Sequence, residues 1–566
     1  MHDPTAADLR SPFLADPGTK KLLSLPLLLW EAALSESRAV QGYWSALWRY
    51  AGEFAAPGVA AQALFLGRET RRSLDDSPEE ARAGYGELAK IAMRLGMDGL
   101  MQGLRVASEY HGRESGRWLD AWINTFLKDG DGEDLRDLAA RKATLMDALA
   151  REYPRAIREI GEDYGIHPEK GGYSLVHETE RFLLYQVLPR EEAVRVKAGG
   201  KPVLVVPPYV LGPNILAFLP GRGRSYLHAF ADRGIPTYVR LVKDIRSTPA
   251  VQTMEGEDDV LDTRAFCEAI KKRHGKPATL NGFCQGGLMT VCALLTGELD
   301  GLVDAHVTCA SPMDGTRSAS LKAYLELLPE RLRDLGYSVK RLPNGNRVVD
   351  GEVVSWVYKL KSMEREAPLT SLYRDMRLLD RPGQDEPKIN PVAAAINHWL
   401  VHDRADLPVS VTRMSFDSHT KPVTEDGTLP VKLFGRPLNF SRLKRKKIRW
   451  LLCIAAKDDL VDRHSALLPV DKGFADAEVT VFPKGHASIA TSWSAPDSLC
   501  PLHAVFTDAE GKEARGPVHF HQELDDRLEA AKARKKASAA KPKASEGAAR
   551  GGKGAKGTRA TGGKSR

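Results

Sequence analysis

The chain is expected to be an α/β protein built on a doubly wound, mostly parallel sheet. Three observations lead there. Short apolar, β-branched runs recur from residue 174 onward, as strands buried on both faces would. Helical patterns separate them, and strands alternating with helices give parallel sheets. A stretch of roughly 135 residues, 311–447, then interrupts the alternation before it resumes.

Residues 1–173 come first and read as helical throughout. ALWRYAGEFAAPGVAAQALFLGRE and DLRDLAARKATLMDALAREYPRAIREIGEDYG space their apolar residues as helices do, with no strand alternation. Ala56, Pro57 and Gly58 predict a break into two shorter helices. No catalytic pattern stands out here, and a helical packing or partner face is the reading.

Residues 174–310 carry the first part of the sheet. RFLLYQVLP (181–189), PVLVVPP (202–208) and IPTYVRLV (235–242) read as strands. DVLDTRAFCEAIKKRHG (259–275) reads as an amphipathic helix stopped by glycine. ATLNGFC (278–284) and AHVTCASPMD (305–314) are strands on either side of the helix GGLMTVCALLTG. Residues 311–447 then read as a helical cap or lid, since so long a connection is usually functional. Residues 448–526 complete the sheet with IRWLLCIAAKDD (448–459) and AEVTVFPKGH (477–486).

The net charge of +8 hides a division. Residues 527–566 hold 13 Lys/Arg against 2 Asp/Glu, while the rest of the chain is close to neutral. This Lys/Ala/Gly-rich tail has too little apolar surface to offset the entropy of ordering, so it is expected to be disordered. Such a polycation would either contact DNA or other polyanions through charge alone or serve as a soluble tail with no specific partner. The opening MHDPTAADLRSPF lacks the pattern of a signal peptide, and no apolar run is long enough to span a membrane. Six cysteines without a CxxC pair suit a reduced, cytoplasmic setting. Of the close histidine pairs, HFH (519–521) reads as packed or solvated, and no metal site is expected.

NGFCQGG (281–287) carries the chemistry. It lies at a strand-to-helix junction, the setting of a nucleophile elbow. Gly282, Gly286 and Gly287 let the backbone pass closely at the turn, lifting Cys284 clear of the sheet. The backbone N–H of Gln285, at the new helix's start, would point at a developing oxyanion. Cys267, Cys292, Cys309 and Cys453 sit within apolar runs and read as buried structural thiols. An acid and then a histidine should follow the nucleophile. Asp458, first after its strand, can aim inward, whereas Asp459 and Asp462 read as turn or solvent-facing residues. His486 follows the last strand in FPKGHAS. His486 would take the proton from Cys284 and Asp458 would hold the imidazole's tautomer. A thiol here forms a thioester acyl-enzyme, which stays high enough in energy to pass its acyl group onward.

From about Val176 to Ala490 the chain resembles polyhydroxyalkanoate synthases. The resemblance rests on LVVPPYVLGPNILAFLP, the box GFCQGG, PMDG (312–315), PVKLFGRPLNFSRLKRKKIRWLLCIAAKDDLV and KGHAS. It implies an α/β-hydrolase core with a cap, and polymerisation of 3-hydroxyacyl-CoA into polyester with release of CoA. Cys284 would hold the growing chain, His486 would activate it, and Asp458 would assist. No cofactor is implied, CoA thioester being the substrate. The polyester chain is the other implied partner, and members act on granule surfaces and often dimerise. The chain departs from the family at LVKDIRSTP (241–249), which lacks a tryptophan, at Gln285, and at Ala487–Ile489. Two other readings share these residues: a cysteine thioesterase or polyester hydrolase, and a non-catalytic, granule-associated protein that binds nucleic acid.

Overall fold

The computed structural model describes residues 17–539 except 75, 128–131, 211, 329, 355–367 and 381–389. Residues 17–521 form one compact unit, and the chain from Gln522 belongs to a second. The expected strands all form, and one more precedes them. They are β1 (Tyr173–Glu178), β2 (Phe182–Val187), β3 (Val203–Val206), β4 (Thr237–Val242), β5 (Ala278–Phe283), β6 (Val303–Cys309), β7 (Arg449–Ala455) and β8 (Ala477–Phe482). Their order across the sheet is β1-β2-β4-β3-β5-β6-β7-β8. Only β2 runs against the others, pairing antiparallel with β1 and β4. This is the α/β-hydrolase sheet.

The strand composition explains its place. Val203–Val206 and every residue of β5 are buried, because helices cover both faces of the sheet and leave no polar side to alternate. A strand order that reverses between β4 and β3 needs crossovers on both faces, and helices supply them.

The N-terminal region has three main helices: α1 (Pro17–Arg72), α2 (Pro78–Phe126) and α3 (Leu135–Asp147). The expected break at Pro57 does not occur, and α1 runs unbroken for 56 residues. A proline removes one backbone hydrogen bond and crowds the turn before it. Here the packing of α1 on both sides of that turn outweighs the cost. Ala39, Ala46 and Tyr50 bury before it and Phe65 after it.

Two helices flank the elbow strand: α4 (Gly256–His274) before β5 and α5 (Gln285–Thr296) after it. The insertion between β6 and β7 contains α6 (Pro368–Leu379), α7 (Pro391–His402) and α8 (Val409–Thr420). It is not purely helical as expected. Residues 339–341, 347–349 and 407–408 form a small three-stranded sheet, and 428–433 pairs with 436–439. The latter hairpin contains LFGRPLNF, with Phe434 and Gly435 both at positive φ in its turn. Residues 355–367 and 381–389 of the expected helical cap lie outside the described residues.

The segment 368–380 ties this insertion to the N-terminal helices. Tyr373 Oη meets Tyr43 Oη at 2.8 Å and His111 Nε2 at 2.9 Å. Tyr50 Oη donates to Asp375 Oδ2 at 3.0 Å, and Asp380 accepts from Arg117 and Arg141. The helix α9 (Pro517–Ala539) extends into the stretch expected to be disordered. Its residues 527–539, RLEAAKARKKASA, are mostly strong helix formers, so local propensity favours the helix there. The rest of the tail lies outside the described residues.

Candidate active site

The strand β5 ends at Phe283 and α5 begins at Gln285, leaving Cys284 alone to make the turn. It does so at φ 52°, ψ −124°, a conformation that costs a non-glycine residue about 1–3 kcal/mol. The neighbours over-determine it. Cys284 N donates to Cys309 O at 2.8 Å, and Gly287 N donates to Cys284 O at 2.9 Å. Three glycines make the turn sterically feasible. A Cβ on Gly286 would lie 2.3 Å from Val206 O, and one on Gly287 would lie 1.9 Å from Ser311 Oγ. A Cβ on Gly282 would meet the Gly287 backbone at 2.4 Å. The thiol of Cys284 is partly exposed, whereas Cys267, Cys292, Cys309, Cys453 and Cys500 are buried.

The loop after β7 supplies Asp458 and the loop after β8 supplies His486. His486 Nδ1 lies 2.7 Å from Asp458 Oδ2. An ionised carboxylate only accepts, so Nδ1 carries the proton and Nε2 is left free to accept one. The other oxygen, Asp458 Oδ1, accepts from Leu460 N at 3.0 Å and Val461 N at 2.9 Å. Both carboxylate oxygens are therefore fixed, and the side chain is fully buried. His486 Nε2 has no nitrogen or oxygen partner; the Cys284 thiol interacts with this ring. Burial acts to lower the imidazole pKa, but the Asp458 carboxylate and the Cys284 thiol outweigh it. Together they raise that pKa well above the usual value. The ring of Phe283 packs edge-on against the imidazole, with centroids 6.2 Å apart.

The four residues that sequence singled out thus converge on one edge of the sheet. Asp459 and Asp462 stay out of the site, as expected. Asp462 caps the helix at 463–466 and accepts from Ala319 N at 2.9 Å. Gln285 does more than offer its amide. Its Oε1 accepts Val210 N at 3.2 Å, and its Nε2 is buried without a partner. Val210 belongs to the loop after β3, which supplies the second oxyanion donor in folds with this elbow. Among the described residues nothing accepts from Gln285 N. His521 has a structural task, its Nδ1 2.9 Å from Thr279 Oγ1 and its Nε2 2.9 Å from Lys201 O. Among the described residues no cluster of three metal-ligating side chains forms.

Sequence reasoning missed two parts of the site. Ser311 fills the space that Gly287 leaves. Asp314, buried after β6, accepts from Val423 N at 3.2 Å and so pins the insertion near the elbow. PMDG marked Asp314 as a family residue without giving its task.

No protein-family model and no curated protein matches the chain. It is similar in part to several solved structures. One is a carboxylesterase, CesB, from Bacillus subtilis, with 11% identity over 60% of this chain and 92% of that one, at a TM-score of 0.31. A putative aryl esterase from Burkholderia cenocepacia shares 13% identity over 64% of this chain and 99% of that one, at 0.33. A thioesterase domain from the curacin biosynthetic pathway shares 10% over 57% and 96%, at 0.30. By its strand order and its single reversed strand, the chain has the α/β-hydrolase fold, with a cysteine in the elbow turn.

Proposed function

We propose that the protein is an acyltransferase of the polyhydroxyalkanoate synthase type, moving 3-hydroxyacyl groups from CoA to a growing polyester. The observation that carries the reading is a cysteine held at positive φ beside a histidine whose other nitrogen is bound to a buried carboxylate. The proton of Cys284 passes to His486 Nε2, and Asp458 stabilises the imidazolium that results. The thiolate attacks the thioester carbonyl, and Gln285 N donates to the oxyanion. CoA leaves as its thiol, taking the proton from Nε2, and Cys284 keeps the acyl group as a thioester. The 3-hydroxyl of a second acyl unit then attacks, giving its proton to Nε2; the ester forms as the C–S bond to Cys284 breaks, and the departing sulfur takes that proton back as the thiol.

A thioester intermediate lies close in energy to the CoA donor, so the first step is nearly balanced. Transfer to a hydroxyl then runs downhill to an ester. That energetic order suits polymerisation and makes a cysteine the better choice than serine. Water attacking the same intermediate would give the hydrolase reading.

The test is incubation of the purified full chain with 3-hydroxybutyryl-CoA and analysis of both products. Release of CoA with polymer is expected. Release of CoA with free 3-hydroxybutyrate alone would replace the transferase with a thioesterase. No release over a series of hydroxyacyl chain lengths would leave the non-enzymatic reading standing.

A further inference from the structure

Arg240, in β4, is a cation inside the sheet. Its guanidinium and the carboxylate of Asp259, in α4, are each 2% exposed and meet at 2.7 Å. The guanidinium also donates to Thr263 Oγ1 at 2.6 Å and lies 4.3 Å above the centre of the Phe182 ring. Burial acts to lower the pKa of Arg240, but Asp259 outweighs it, so the charge stays. Asp259 Oδ1 takes a second hydrogen bond, from Tyr209 Oη at 2.5 Å. Taking two charges out of water can cost more than their attraction returns, so a buried pair is weak evidence for stability. Its better-attested use is to set a register or a geometry.

The network ends at Tyr209, the residue before Val210, whose N–H donates to Gln285 Oε1. Pro207 and Pro208 have no N–H with which to tie this loop down. Among the described residues neither Tyr209 nor Val210 donates to a backbone carbonyl. A cavity of about 200 Å³ borders the loop, lined in part by Phe182, Pro207, Pro208, Tyr209, Gly212 and Arg240. A loop beside unfilled space meets no packed atoms when it shifts that way. Two side-chain hydrogen bonds hold its middle: Val210 to Gln285 on one side and Tyr209 to Asp259 on the other.

We propose that Asp259 is a positioning residue for the oxyanion site. Through Tyr209 it holds the Val210 N–H at the elbow, and Arg240 holds Asp259 in place. This rests on Cys284 accepting an acyl group, and not on which acceptor then takes it. An oxyanion forms when the thiolate attacks an acyl carbonyl, and none forms when it displaces iodide. Asp259 therefore acts on acylation of Cys284 and leaves its alkylation alone.

The test compares these two reactions in the purified full chain. p-Nitrophenyl butyrate acylates Cys284 with release of p-nitrophenolate, and iodoacetamide alkylates it. Tyr209→Phe removes only the hydroxyl and keeps the ion pair, so melting should change little. Its p-nitrophenolate burst should slow about tenfold, since loss of an oxyanion donor outright costs about 10²–10³-fold. KM and the alkylation rate should be unchanged. Arg240→Met with Asp259→Leu leaves no buried charge unpaired, so the chain should still fold, and its acylation should slow to a similar extent. Combined with Tyr209→Phe, the pair should add no further slowing, because the three residues act as one unit. Unchanged acylation in Tyr209→Phe, alkylation slowed along with acylation, or effects that multiply would overturn the proposal and leave Cys284 as the nucleophile. A native chain that releases no more p-nitrophenolate than Cys284→Ala would overturn both the proposal and the acyl-enzyme it rests on.

Discussion

The Oε1 atom of Gln285 accepts the backbone N–H of Val210 at 3.2 Å, tying the elbow to the loop after β3. The side chain that departs from the family pattern therefore has a mechanical task. It bridges the two segments that would bind an oxyanion, while its own Nε2 stays buried without a partner. Replacing Gln285 by alanine removes the bridge but leaves the Gln285 amide in place. The expected result is a fall of about tenfold in kcat, from a loosened second donor rather than a lost first one. Glutamate at 285 should be worse, since it would bury a charge where Nε2 already has no acceptor. An unchanged kcat in both variants would mean that the β3 loop is fixed by other contacts.

Cys284→Ala should abolish acyl transfer, and Cys284→Ser should retain little of it. The native chain mixed with a hydroxyacyl-CoA and quenched in acid should show one acyl mass increment on the peptide containing Cys284. An increment that persists in Cys284→Ala would place the nucleophile elsewhere.

Asp458 sets the protonation state of its partner. Burial lowers the pKa of His486, but the carboxylate and the Cys284 sulfur outweigh it and raise that pKa, which makes Nε2 a better acceptor for the thiol proton. Iodoacetamide should alkylate Cys284, which is partly exposed, in preference to the five buried thiols. Asp458→Asn should slow alkylation there and cut turnover by about 10³-fold or more. Equal alkylation rates in both proteins would show that the carboxylate does not act on the thiol.

Gly286 and Gly287 are both sterically required, but by different neighbours. The obstacle at Gly286 is the backbone carbonyl of Val206, which cannot move without disturbing β3. The obstacle at Gly287 is the side chain of Ser311. Gly286→Ala should destabilise the fold by about 2–4 kcal/mol, and Gly287→Ala by a similar amount. Ser311→Gly should rescue the second variant and leave the first unimproved. Rescue of both, or of neither, measured by thermal melting, would contradict these contacts.

Much of this site could be read in the sequence because its parts obey local rules. The elbow needs glycines around a nucleophile at a strand end, and NGFCQGG shows them together. Asp458 and His486 were found by chain order and by their places after strands. The tie between Gln285 and Val210 spans 75 residues, and no local pattern encodes it. Ser311 was invisible for the same reason. Pro57 misled because its local cost is real, yet packing on both sides of it offsets that cost. The hairpin over 428–439 was missed because its residues also serve a helix-rich insertion, and its turn uses Phe434 at positive φ where glycine is the usual signal.

Asp403 offers a test of the joint between the insertion and the core. It follows α7, and its carboxylate accepts from Tyr164 Oη at 3.0 Å and from Asn214 Nδ2 at 3.3 Å. Both donors are neutral. Burial therefore dominates, pushing its pKa from 3.8 up to about 6 against the lowering effect of these two hydrogen bonds. The folded state then holds a proton that the unfolded chain has already released. Stability from this group is highest below the unfolded value near 4, and it falls as pH rises toward 6. Above that the cost is constant. Asp403→Asn removes the titration and keeps both partners, because the amide oxygen can accept from Asn214 while the amide nitrogen donates to Tyr164. The variant should be more stable than the native chain at pH 7 by about 1–2 kcal/mol, after discounting for partial exposure. At pH 4 the two should melt together. Urea titrations at both values would decide it. A variant less stable at pH 7 would show that the ionised carboxylate holds the loop of Asn214 more strongly than burial opposes it.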